Sequence, residues 1–454
     1  MDTSSAAALP GGTSEDQPYP PARTGWWALT VFTIALILSY VDRQILSLLT
    51  GPVSAELQIN DFQMSLLLGA AFAILYAVAG VPLGRVADLF PRRRVIVIGI
   101  VAWSAATLAC GLAASFGQLF IARVCVGIGE AALLPAAVSI LADYFSPSRR
   151  GTAIGILIMG AAAGHAIALV VGGMLLQSIA AGDFAWLPLV GGMEDWRIAF
   201  VLVALPGIPV ALLVLTVPEP ERRGGHVKPT MAVVRQSFRE RRHLLIPIYI
   251  SLGFMGIASM AFAAWIPALF LRRFDLSGAE IGASIGVWML VGGFIGSVIA
   301  GMVGDALTKR WGLIGRMGAS AGFSLFAIIG GLAMFAQTPD QLLLIACLMT
   351  IGTAGSMTVA AAGVQDIANS AIRGIAGSII SMMGTLVGMS AGPILVALLT
   401  QSVFGDPLAL GQSISIVVAI AATASALLLF FTLRLIKQRP IIESQSTGMA
   451  AQPG

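Results

Sequence analysis

Twelve apolar stretches, at about 26–50, 63–84, 95–115, 118–142, 152–177, 198–217, 244–271, 281–304, 314–336, 341–364, 374–401 and 411–436, dominate the chain. Each is near the ~20 residues that a helix needs to cross a bilayer. Within hydrocarbon every backbone polar group must be satisfied inside its own segment, so runs of this length become helices. The expected fold is therefore an all-α integral membrane protein with twelve transmembrane helices. A content of 57% hydrophobic and 11% charged residues supports the same class, and it makes the net charge of +4 topological, not a sign of nucleic-acid binding.

Residues 1–24 lack a basic region followed by an apolar core, so they are expected to be a disordered tail and no signal peptide. With that tail in the cytoplasm, the Lys and Arg residues fall in cytoplasmic connections, all but Arg43, Arg123, Arg197, Arg272 and Arg273. Both termini are then cytoplasmic, which suits a bacterial inner membrane protein. Stretch 178–196 is expected to be a long loop with room for a short interfacial helix. Cys110, Cys125 and Cys347 all fall inside apolar spans and imply no disulfide framework.

The longest cytoplasmic connection, 219–243, divides the chain into six-helix bundles at 25–218 and 244–437, with a second disordered tail at 438–454. An internal repeat marks the same division. Gly69, Gly84 and Asp88 recur at a constant offset as Gly286, Gly301 and Asp305, and a weaker echo pairs Gly160 and Gly164 with Gly388 and Gly392. Glycines four residues apart let helices approach closely, so packing is their first meaning.

Charge at depth is confined to Asp42, Arg43, Arg123 and Glu130. An ionised group in a membrane interior is costly unless paired or wetted, which makes these four the leading functional candidates. Arg123 and Glu130, seven residues apart, share a helix face about 10.5 Å apart along the axis, whereas Asp42 and Arg43 diverge by about 100°. Asp42 and Arg123 are expected at similar depth, with Glu130 nearer the midplane. Two acids and two arginines suggest a proton relay or an anion pocket. Mutual neutralisation as interhelical glue is the alternative. His165 is the other titratable candidate in a span, and a hydrogen-bonded core role is its first meaning.

The run Gly84-Arg85-Val86-Ala87-Asp88-Leu89-Phe90-Pro91-Arg92-Arg93-Arg94 resembles the signature loop of the major facilitator superfamily, with Pro91 where that loop usually has Gly; Gly301–Asp305 with Lys309 and Arg310 is its second copy. The resemblance implies two parallel six-helix halves that rock about a central site. It also implies a conformational latch built from Gly84, Asp88, Arg92 and Asp305, with arginines pairing acids such as Asp143. Within the superfamily, Tyr40-Val41-Asp42-Arg43 and Arg123-Val124-Cys125-Val126-Gly127-Ile128-Gly129-Glu130-Ala131 resemble the spinster family of lipid transporters. So do Asp143-Tyr144-Phe145, Asp195-Trp196-Arg197 and Val364-Gln365-Asp366-Ile367. That likeness implies proton-coupled transport of a lysophospholipid or sphingosine-1-phosphate-like amphiphile, with Asp42 and Glu130 carrying the proton. Arg43, Arg123 and Tyr40 then serve as gating or head-group residues. A small organic anion of the sugar-acid type, or multidrug export, stays open as an alternative.

The second half carries methionines and aromatics in place of charge, among them Met260, Trp265 and Trp288. Such stripes are usually packing, but flexible thioethers also suit an acyl chain. No P-loop, intramembrane His-Glu metal motif or nucleophile elbow is present, so neither an enzyme nor a cofactor or metal is expected. The expected partners are an amphiphilic small molecule, protons and membrane lipids, with the chain acting as a monomer.

Overall fold

The computed structural model describes residues 19–184, 186–187, 192–222, 231–274, 276, 278–369 and 372–438. The expected tails fall almost wholly outside them, as do the side chains of Gly84 and Asp88. The first half comprises α1 (Ala22–Leu48), α2 (Thr50–Leu57), α3 (Asp61–Ser65), α4 (Ala71–Leu89), α5 (Arg92–Gly111), α6 (Phe116–Glu130), α7 (Leu133–Tyr144), α8 (Pro147–Ala180), α9 (Asp195–Ala204) and α10 (Gly207–Leu215). The second comprises α11 (Met231–Phe274), α12 (Gly278–Phe326), α13 (Pro339–Ile367), α14 (Arg373–Met382), α15 (Met389–Leu398) and α16 (Leu410–Gln438).

Eleven segments of the described residues are long and apolar enough to cross a membrane, and one of them, Glu280–Phe335, has 56 residues. At 1.5 Å per residue that is about 84 Å, more than twice the hydrocarbon thickness. Gly312, at φ 60° and ψ −146°, breaks it in a region of backbone space that a side chain would bar. The 56 residues make two crossings, and the total is twelve.

Two spans depart from simple rods for local reasons. The expected 118–142 helix breaks after Glu130 into α6 and α7. Pro135 has no N–H to bond the Ala131 carbonyl and its ring crowds that group, which uncouples the turn at 131–132. In α11 the helix begins at Met231, so 231–243, expected as part of the linker, is helical. That stretch holds no Pro or Gly, Val234 and Phe238 pack on the buried cluster around Leu244 and Ile248, and Asn369 Nδ2 donates to Ser237 Oγ at 3.1 Å.

The chain divides into two compact units, residues 1–230 with 276–287, and residues 231–275 with 288–454. The start of α12 joins the first unit because Gly282 and Gly286 rest against the α8 backbone, where a Cβ would stand 2.6 Å from the Leu169 and Ala166 carbonyl oxygens. The duplication persists in the packing inside each unit. In the first, Gly164 receives Tyr40 of α1; in the second, Gly392 receives Ala261 of α11. Likewise a Cβ on Gly129 would lie 2.8 Å from Trp103 of α5, and one on Gly352 would lie 2.6 Å from the Ala327 nitrogen. Ser115 caps α6 and Thr338 caps α13 through the same bond, to the backbone N–H three residues on.

Overpacking at such a crossing forces backbones apart at a cost of about 1–3 kcal/mol. Gly129→Leu and Gly352→Leu should each lower the unfolding temperature and the monodisperse yield in size-exclusion chromatography. Gly117→Ala, where a Cβ meets nothing within 4 Å, should leave both unchanged or slightly raised.

Candidate functional site

The first unit gathers all four deep charges of the chain, on α1 and α6. Glu130, the last residue of α6, is 1% exposed, and its Oε2 accepts from Arg43 Nε at 2.6 Å and Ser39 Oγ at 2.5 Å. Arg43 Nη2 lies 2.6 Å from the same oxygen and donates to Ser39 Oγ at 3.2 Å. Ser39 is four residues before Arg43, so one face of α1 supplies both donors. Helix α6 reaches them because its glycines face different neighbours: Gly127 takes the Phe72 backbone of α4, with 2.7 Å left for a Cβ, and Gly129 takes Trp103 of α5.

Asp42 points elsewhere, as the 100° divergence from Arg43 requires. Its Oδ1 accepts from Thr107 Oγ1 of α5 at 2.5 Å, both residues being buried. Arg123, 1% exposed, does not pair with a carboxylate among the described residues. Its Nη1 donates to the Asp42 carbonyl at 3.1 Å and its Nη2 to the Arg43 carbonyl at 3.4 Å, so it ties α6 to the α1 backbone at the expected depth. The expected neutralisation of two acids by two arginines thus yields one ion pair, one hydroxyl-bound acid and one carbonyl-bound arginine. Asp42 Oδ2, Glu130 Oε1 and Arg123 Nε are buried without partners, an arrangement suited to rearrangement or to binding small polar species.

Aromatic rings enclose the remaining sides of Arg43. Its guanidinium carbon lies 4.4 Å from the Phe72 centroid, 4.9 Å from Tyr40 and 5.1 Å from Tyr76. His165 meets Gln44 through their Nε2 atoms at 3.2 Å and stands at the edge of Tyr40, centroids 6.2 Å apart. Gln44, Thr107, Ser39, Phe72 and Tyr76 carry no formal charge, so a search of the sequence for buried ions passes over them.

At the end of the bundle bearing the 84–94 loop, Arg92 is 2% exposed and ion-pairs with both Asp143 and, at 2.9 Å, Glu219; Glu219 also accepts from the Arg93 N–H at 2.8 Å. These partners all belong to the first unit, so Arg92 closes its own bundle. In the second unit Arg316 bonds Asp366 at 2.7 Å and Asp305 at 3.3 Å. Asp143 and Asp366 stand at the same spacing from the caps Ser115 and Thr338, and each pairs with an arginine of its own unit.

At the opposite end, Arg197 donates to Glu56 Oε1 at 2.7 Å and to the Gly111 and Ala113 carbonyls, while Trp196 Nε1 bonds the other Glu56 oxygen. This clasp joins α2, the end of α5 and the start of α9.

The second unit carries hydroxyls where the first carries ions. Ser251, Ser324, Ser356 and Ser425, from α11, α12, α13 and α16, form a buried chain with contacts of 2.8, 3.1 and 2.7 Å. Trp265 is fully buried with its indole N–H donating to the Pro393 carbonyl at 3.0 Å, which makes it a packing residue. Met260 is half-buried and Trp288 is 40% exposed. Among the described residues no cluster of His, Cys, Asp and Glu is arranged to hold a metal ion.

Comparison with known proteins places this geometry. The family model described as Major Facilitator Superfamily matches residues 32–329. An MFS-type efflux pump of Mycolicibacterium smegmatis is 28% identical over 63% of this chain, and the match spans 64% of that relative's length. A cis,cis-muconate transport protein of Acinetobacter baylyi is 24% identical over 68% of this chain and 72% of its own. The crystal structure of a bacterial homologue of the human lysosomal transporter spinster, inward-facing and unoccupied, superposes with a TM-score of 0.77 at 24% identity, covering 91% of this chain and 96% of that one.

The Glu56 clasp generates a pH prediction. Hydrogen bonds from Arg197 hold the Glu56 carboxyl below its ordinary 4.5, against the opposing pull of burial. A depressed carboxyl stabilises the fold above its unfolded value and ceases to do so as pH falls through the folded value. Thermal stability should therefore decline as pH drops below about 4.5, and Glu56→Gln, less stable at neutral pH, should show a shallower acid decline.

Proposed function

Because the chain belongs to the major facilitator superfamily, a group of transporters and not enzymes, we propose that it is a proton-coupled, alternating-access transporter in which Glu130 and Asp42 carry the proton. The observation that carries this reading is the Arg43–Glu130 pair, buried at a helix break with a partnerless oxygen on the acid. Protonation of Glu130 removes the counter-charge of Arg43 and leaves the guanidinium available to an anionic group. Deprotonation restores the pair and expels the competitor. Proton binding at Glu130 and anion binding at Arg43 thus favour one another, which is the linkage a coupled transporter needs.

Asp42, fixed by Thr107, is the second proton carrier, and Arg123 holds the α1 backbone level with α6. The substrate we favour is an amphiphile whose anionic head is held at Arg43. Both termini face the cytoplasm of a bacterial inner membrane, and Arg92 and Asp305 are each ion-paired within their own unit. The likeness to the cis,cis-muconate transport protein favours a second reading, in which the substrate is a compact organic anion.

Glu130→Gln and Asp42→Asn should abolish substrate uptake driven by an imposed pH gradient in proteoliposomes while leaving substrate binding measurable. Unchanged gradient-driven uptake in both would remove the coupling role. Mass spectrometry of lipids retained by gently purified protein, followed by competition, separates the two substrates. Affinity that rises with acyl length, by about 0.8 kcal/mol per buried methylene, supports the amphiphile; indifference to length supports the compact anion.

A further inference from the structure

We propose that Tyr40, Phe72 and Tyr76 form a cage that holds the Arg43 guanidinium in place when Glu130 is neutral. All three centroids lie within the roughly 6 Å over which a ring face attracts a cation. Two walls come from α4, where Phe72 and Tyr76 stack with centroids 5.2 Å apart and planes at 26°. The third comes from α1, where the Tyr40 ring is wedged against Gly164 of α8, a Cβ there being only 3.1 Å from it. Phe72 is fully buried and has no polar atom to offer, so its ring face is what it presents to the cation.

The need for a cage follows from the exchange at Arg43. A guanidinium 10% exposed has little water to fall back on when its carboxylate partner takes a proton. With no other counter-group the pair would stay shut, because opening it would strand a buried cation. Ring faces attract a cation without carrying a formal charge, and that attraction counts for more once the neighbouring carboxylate is neutral. Tyr40, Phe72 and Tyr76 are positioning residues in this scheme: they make opening reversible and hold Arg43 at one spot for an incoming anion.

The inference rests on Glu130 being the proton carrier, but it can be tested apart from transport by a double-mutant cycle on the purified protein, read as unfolding temperature. Glu130→Gln imitates the neutral acid. Phe72→Leu should cost about 3 °C more in the Glu130→Gln background than in the native one, and the excess should vanish when Arg43→Leu is added. Phe72→Tyr, which keeps the ring, should show no such excess. Should Phe72→Leu prevent folding, Tyr76→Leu serves in the same cycle, measured against Tyr76→Phe so that loss of the ring is separated from loss of the hydroxyl that meets Arg43. Equal losses in every background would mean that the rings only pack, and would overturn the cage while leaving the proton role of Glu130 to the transport assay.

Discussion

The structure of the first unit depends on a single electrostatic constraint: a guanidinium and a carboxylate within hydrocarbon must find each other. Arg43 and Glu130 meet that demand across two helices, and much of the surrounding architecture serves the meeting. Gly127 brings α4 inward, Gly129 brings α5 inward, and Pro135 breaks the helix directly beyond the acid. Ser39 adds a hydroxyl to the same oxygen. A buried ion pair of this kind contributes little net stability compared with apolar replacements, so its presence signals use. Separating the two charges would strand one of them in a low-dielectric interior, so the pair holds while both are ionised.

The helices themselves were legible in the sequence because apolar length and the distribution of Lys and Arg depend on local composition. The four deep charges were legible for the same reason, since each stands out against an apolar background. Their pairing was less so. That Asp42 and Arg43 point apart followed from helix geometry, but that Asp42 would meet Thr107 required the placement of α5, which no local pattern supplies. The aromatic walls at Phe72 and Tyr76 were hidden as ordinary apolar residues of a span. Helicity of 231–243 was masked by charge, because a helix docked by Val234 and Phe238 leaves Arg235, Arg239 and Arg242 exposed. In the sequence Trp265 belongs to the methionine and aromatic stripe; its bond to the Pro393 carbonyl is a long-range contact that spacing along α11 cannot reveal.

The duplication makes the difference between the units instructive. Helix caps, crossing glycines and terminal ion pairs recur in both, so the scaffold is common property. What differs is the lining. The positions corresponding to Arg123 and Glu130, by the spacing that relates Ser115 to Thr338, are Ala346 and Thr353. The second unit joins its helices through Ser251, Ser324, Ser356 and Ser425, hydroxyl contacts that carry no net charge.

That serine chain divides the molecule's sensitivities. Hydroxyl groups neither gain nor lose protons across the biological range; they only turn, each acting as donor or acceptor as its neighbours require. The interior of the second unit is therefore held together in the same way on the acid and alkaline sides of a membrane. The deep ionisable groups lie in one half of a duplicated chain, and the buried contacts at the centre of the other are made by groups that acidity leaves alone.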